Sequence, residues 1–111
     1  MYIVEAGIAT KEAVDEAVRY SLGRRLGVTG PFETADLGGL DLFYTVAKYM
    51  MPDLCDAHDV SSVMKEPIYR GALGAKTGKG FYDWTPDALA EIRKKRESAM
   101  MEWLKKDKES G

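Results

Sequence analysis

Wound as a helix, residues 40–51 are apolar on nearly every side: Leu40, Leu42, Phe43, Val46, Ala47, Met50 and Met51, joined by Tyr44 and Tyr49. A helix of that kind cannot face water all round. Either it is the central helix of its own domain or it faces a partner. Pro52 stops it. The remaining segments are read around that demand.

The flanking sequence is punctuated by helix starts and stops. Residues 2–6 read as the last turns of a helix, with Gly7 just past its end, where positive φ costs little. That reading suggests a chain beginning within a domain; a short N-terminal strand is the alternative. Thr10 is a good N-cap. Ala13, Val14, Ala17, Val18, Ser21 and Leu22 then recur at helical spacing, and Gly23 is expected to end that helix. Residues 24–30 read as a loop. Pro31 suits the first helical position, and a two-turn helix should follow through Phe32, Ala35 and Leu37 until Gly38 and Gly39 break it. A short helix is expected near residues 62–65, with Pro67 opening another turn. Thr85, Pro86 and Asp87 are cap, first-turn proline and N-terminal acid in order, so a long helix to about Asp107 is expected, with residues 105–111 frayed or serving as a linker. Arg93, Lys94, Lys95 and Arg96 read as its solvated face. No segment reads as a strand. The expected class is all-α, a compact bundle of five or six helices.

Composition narrows the function classes. Sixteen basic residues against eighteen acidic leave a net charge of −2, which argues against a broad nucleic-acid surface. The single cysteine, Cys55, cannot form an internal disulfide. No apolar run approaches the roughly 20 residues of a membrane span. The first residues lack a signal-peptide pattern, so a cytoplasmic location is expected. At 111 residues a chain should bury its own core, hiding roughly two-thirds of its unfolded surface.

Chemical motifs are sparse. The run from Gly74 to Gly80 fails as a P-loop, because its spacing is one residue short and Gly80 stands where a magnesium-binding hydroxyl is needed. It matches the spacing of a dinucleotide turn, but a buried strand before it and a helix opening directly after it are both missing. A structural glycine turn is the better reading. Asp53, Cys55, Asp56, His58 and Asp59 mix hard and soft ligands in one polar loop, with no second cluster to complete a metal site. His58 is the only base available to Cys55, Ser61 or Ser62, and all lie too close on that loop for a buried triad. No catalytic, cofactor or metal residue is expected.

Two segments carry more information together. The run Gly30-Pro31-Phe32-Glu33-Thr34-Ala35-Asp36-Leu37-Gly38-Gly39-Leu40-Asp41 is followed, about thirty residues on, by Leu73-Gly74-Ala75-Lys76-Thr77-Gly78-Lys79-Gly80-Phe81-Tyr82-Asp83-Trp84. With the helix to Leu22 before them, they resemble the C-terminal domain of the 3-hydroxyacyl-CoA dehydrogenase family. The resemblance runs from Tyr2 to Thr85. It implies a fold like the 6-phosphogluconate dehydrogenase C-terminal domain. It also implies a homodimer, and an acyl-CoA held between this domain and an N-terminal Rossmann domain that binds NAD and carries the catalytic residues. The expected division is residues 1–85 as the family domain and 86–111 as an extra helix, with an enoyl-CoA hydratase as a candidate fusion partner.

The family's helical domain opens with an Asn-Arg pair, and this sequence has no asparagine. No family catalytic residue can therefore be carried over, and the chain by itself is expected to be inert. The resemblance gives structural roles to Gly30, Pro31, Phe32, Asp36, Gly39, Gly78, Gly80, Phe81 and Tyr82, with Phe32 and Leu37 as anchors. It makes Lys76 and Lys79 candidate contacts for a CoA phosphate, with solvated lysines as the alternative. The expectation is a fragment of an NAD-dependent L-3-hydroxyacyl-CoA dehydrogenase. Two alternatives stand beside it: a stand-alone helical module that dimerises or docks a partner, and the same domain from a sugar-acid dehydrogenase of the gulonate type.

Overall fold

The computed structural model describes residues 1–110, which form two units that divide between Val63 and Met64. All regular structure among them is helical; the loop near residue 79 contributes only isolated bridges.

In the first unit, α1 (Tyr2–Glu5) ends at Gly7, whose φ is 74°. Thr10 Oγ1 then accepts from the N–H of Ala13 at 3.1 Å and starts α2 (Lys11–Ala17). The expectation that Gly23 ends this helix is overturned. The chain passes through a five-residue π turn, Val18–Leu22, into α3 (Gly23–Leu26), and Gly23 itself is helical. The wide turn explains the glycine. The N–H of Gly23 donates to the carbonyl of Val18, and a Cβ at position 23 would lie 2.9 Å from that oxygen. Glycine serves close approach here, and the helix runs three residues into the expected loop. The guanidinium groups of Arg19 and Arg24 lie over the ring of Tyr20.

Pro31 opens α4 (Pro31–Gly38) at its first position. Glu33 reaches back to accept from the N–H of Gly30 at 3.0 Å, and the Thr34 hydroxyl donates to the Gly30 carbonyl at 2.9 Å. Phe32 and Leu37 do not anchor this helix: they are 87% and 79% exposed. Its half-buried residues are Thr34 and Ala35, and Phe32 and Leu37 fall to either side of that face. Gly39, at φ 95°, turns the chain into α5 (Leu40–Met50). The Phe43 ring lies against Gly38, where a Cβ would sit 2.6 Å from it. A 3-10 turn, Met51–Asp53, carries Pro52. The polar loop beyond returns to α1 through Ser61, whose hydroxyl donates to Glu5 at 2.6 Å.

The second unit is built on α6 (Ser62–Tyr69) and α7 (Pro86–Ser110). The expected break at Pro67 is absent. Pro67 sits inside one continuous helix and is buried, so only the bond its missing N–H would have made is lost. The helix ends where Gly71, at φ 77°, donates to Ile68 and Ala72 donates to Pro67, a pairing that satisfies two terminal carbonyls. α7 begins where Thr85 Oγ1 accepts from the N–H of Ala88 at 3.2 Å. It continues to Ser110, three residues past the expected end, so residues 105–110 are helical rather than frayed; Gly111 lies outside the described residues. Thr85→Ala is expected to cost about 1 kcal/mol, read as a lower urea midpoint with loss of helicity. An unchanged midpoint would remove the cap from the account of α7.

The expectation of a self-contained core does not hold. Among the described residues no hydrophobic side chain other than the Pro67 ring is buried. The accessible surface is 9634 Å². A folded monomer of this mass exposes about 6,100 Å², and even two separately folded halves would expose about 7,300 Å². More than 2,000 Å² of surface that a folded chain ordinarily hides is therefore in water by this comparison. Pattern and length set how much apolar surface a chain carries, not where its cover comes from.

Candidate functional site

The glycine run folds into a knot of short-range hydrogen bonds. The N–H of Gly74 donates to Lys79, that of Thr77 to Gly74, that of Gly78 to Ala75 and that of Gly80 to Tyr82. The Thr77 hydroxyl accepts from the N–H of Leu73 at 2.9 Å and lies 3.1 and 3.0 Å from the carbonyls of Gly74 and Lys79. These amides are all committed inside the loop. They are not presented to a phosphate, so the loop does not fit a nicotinamide dinucleotide. Gly80 crosses so close to Gly74 that a Cβ on it would lie 2.7 Å from the Gly74 Cα. The loop then delivers Tyr82 and Trp84 as an edge-to-face pair with centroids 6.4 Å apart.

Between this loop and α6 lies a cavity of about 320 Å³, walled by Met64, Pro67, Ile68, Leu73 and Phe81. Lys76 is its charged residue. The two candidate lysines are thus separated. Lys76 lines the cavity, whereas Lys79 points to Asp83 at 3.9 Å on the exposed side. The cavity was not legible in sequence; its signals were Pro67, whose ring lines it, and Gly71, which turns the chain after α6.

A second surface lies on α5. Leu42, Phe43, Val46, Ala47, Met50 and Met51, with Leu54 beyond, line an open groove with almost no polar surface. Asp41, Thr45 and Lys48 occupy the other side of the helix. The helix is therefore two-sided, and its apolar side is uncovered within this chain.

The polar loop assembles no site. His58 Nε2 is 3.6 Å from Asp56 Oδ1, and both side chains are almost fully exposed. Cys55 is exposed. Among the described residues no three of His, Cys, Asp and Glu gather as a metal would require. Ser61 is committed to Glu5 and to the N–H of Val63. The remaining motif residues are structural: Gly30 and Pro31 start α4, the Asp36 carbonyl accepts from Gly39, Gly39 and Gly78 hold positive φ, and Phe81 walls the cavity. Among the described residues no helix is long and apolar enough to cross a membrane.

The model of the 3-hydroxyacyl-CoA dehydrogenase C-terminal domain matches residues 1–84. The chain is 29% identical over 94 residues to 5-formyl-3-hydroxy-2-methylpyridine 4-carboxylate 5-dehydrogenase of Mesorhizobium japonicum, covering 85% of this chain and 30% of that protein. It is 36% identical over 83 residues to 3-hydroxybutyryl-CoA dehydrogenase of Mycobacterium tuberculosis, covering 74% of this chain and 28% of that one. A crystal structure of the pyridine carboxylate dehydrogenase, described as an NAD+-dependent dismutase, matches with a TM-score of 0.82 over 85% of this chain and 30% of that chain, at 29% identity. The chain spans under a third of the length of these relatives.

Proposed function

The chain belongs to the 3-hydroxyacyl-CoA dehydrogenase C-terminal domain family, and from that membership we propose that it is the helical part of an NAD-dependent L-3-hydroxyacyl-CoA dehydrogenase. In that enzyme it supplies the subunit contact and one wall of the acyl-CoA cleft. The reacting groups and the NAD site belong to a dinucleotide-binding domain of the whole protein. The uncovered α5 face carries this reading. An obligate subunit interface buries 2,000 Å² or more in total. The wet surface of the whole chain leaves room for such a contact, and a second copy of the α5 face would cover it as an isologous pair.

The glycine loop and its cavity fit the role of a wall. Their amides are used internally, and what they offer outward is an apolar surface beside Lys76. That suits the acyl or pantetheine portion of a thioester better than a reacting carbonyl. A second reading concerns the substrate alone. The pyridine carboxylate dehydrogenase matches over more of this chain than the hydroxybutyryl-CoA enzyme does, which favours a small carboxylated aldehyde as the competing substrate class.

The test is a domain exchange. Residues 1–84 replace the matching segment of the M. tuberculosis 3-hydroxybutyryl-CoA dehydrogenase. The chimera is expected to turn over acetoacetyl-CoA with NADH, and the isolated chain to show no turnover. A folded, NADH-binding chimera that turns over no acyl-CoA contradicts the proposal, and turnover by the isolated chain contradicts the assignment of chemistry to another domain.

A further inference from the structure

Beyond Leu89, α7 is exposed to solvent. From Glu91 to Glu109 every residue is exposed. Those nineteen residues extend about 28 Å. Helices in proteins draw most of their stability from packing of an apolar face, and this one holds Met100 60% and Trp103 45% exposed. Lys106 covers one face of the Trp103 ring, its Nζ 5.1 Å from the centroid.

The pattern on the helix says what covers it. Arg96, Met100, Trp103 and Asp107 recur at spacings of four, three and four, which sets them along one seam. The seam is basic at one end, apolar in the middle and acidic at the other. Neither Arg96 nor Asp107 has an ion-pair partner among the described residues. A seam of this kind is complementary to itself reversed. In an antiparallel pair related by a two-fold axis, Arg96 of each copy faces Asp107 of the other, and Met100 faces Trp103. Two ion pairs then bracket two sulfur–aromatic contacts. A parallel pair would instead set arginine against arginine and aspartate against aspartate.

We propose that α7 is a docking surface for a second copy of this chain, paired antiparallel so that Arg96 meets Asp107 and Met100 meets Trp103 on both sides of the two-fold axis. This contact lies beyond residue 84, outside the segment that the family model matches, and is independent of the α5 contact and of the proposed enzyme.

The test uses the full chain with Met50→Glu to remove the α5 contact, Cys55→Ser and a dye on Ser98→Cys, reading energy transfer between donor- and acceptor-labelled copies. Arg96→Glu alone and Asp107→Arg alone each place like charges opposite one another, and each is expected to weaken association at least tenfold. The double swap Arg96→Glu/Asp107→Arg restores both ion pairs and is expected to recover it. Single variants that associate like the parent overturn the proposal. So does a double swap that stays weak, because recovery requires the two positions to face each other across copies. Absence of transfer in the parent, which would assign the seam to a different protein, overturns it as well.

Discussion

Met50→Glu is expected to abolish self-association through α5. Met50 sits in the apolar groove with Val46 and Leu42 one and two turns before it. Methionine and glutamate have similar helix propensity, so the helix itself is nearly unaffected. The effect is on burial. In a two-fold contact the substitution places two carboxylates in an apolar interface with no partner on the same face. The penalty for burying an unpaired charge, together with the lost apolar contact, is about 3 kcal/mol per subunit. That weakens dimerisation more than a hundredfold. Lys48→Glu changes the charge by twice as much but lies on the polar side of the same helix, and should leave association unchanged. Sedimentation velocity separates the two variants when each also carries Arg96→Glu, which removes pairing through α7. Equal behaviour of both would show that the α5 groove is not the contact.

Gly80→Ala is expected to be the most damaging single methyl group in the chain. The added Cβ would lie 2.7 Å from the Cα and 3.0 Å from the nitrogen of Gly74, which are backbone atoms and cannot rotate away. Relief requires opening the loop, and with it the bonds from Gly74 to Lys79 and from Gly80 to Tyr82. Overpacking against backbone together with lost internal hydrogen bonds gives a loss of about 3 kcal/mol. Gly7→Ala is the natural comparison. Its Cβ meets nothing within 4 Å, and only the positive φ of 74° is strained, so about 1–2 kcal/mol is expected. Urea midpoints of the two variants should therefore be well separated. A Gly80→Ala chain as stable as the parent would contradict the close crossing with Gly74.

What the sequence made legible follows from how local each cue is. α4 was readable because its determinants, Pro31, Glu33 and the glycines after it, act within one or two turns. The start of α7 was readable for the same reason. Gly23 was misread because a glycine that stops a helix and a glycine that admits a close carbonyl look alike in sequence. Only the π turn, which brings the Val18 oxygen to that position, distinguishes them. Pro67 was misread in a similar way, since proline usually marks a boundary and here the chain tolerates one missing bond in exchange for a buried ring.

The candidate site divides along the same line. That the glycine run is structural could be argued from the residues on either side of it. That Lys76 turns toward a cavity while Lys79 turns toward Asp83 could not, because Lys76 sits inside the 3-10 turn Ala75–Thr77 and Lys79 follows the left-handed Gly78 that ends it. The α5 helix shows the limit most clearly. Its apolar residues announce that something must cover them, and the sequence offered the domain interior or a partner as equals. The structure leaves the groove open within this chain.

The most direct test of the central claim is the urea unfolding midpoint of the full chain measured against its concentration. A fold completed by a second copy gains stability by mass action. The midpoint should therefore rise steadily with chain concentration and fall to a weakly cooperative transition on dilution. A sharp, cooperative transition with the same midpoint at every concentration would mean that the monomer holds its own core, and would contradict the reading of α5 as a subunit contact.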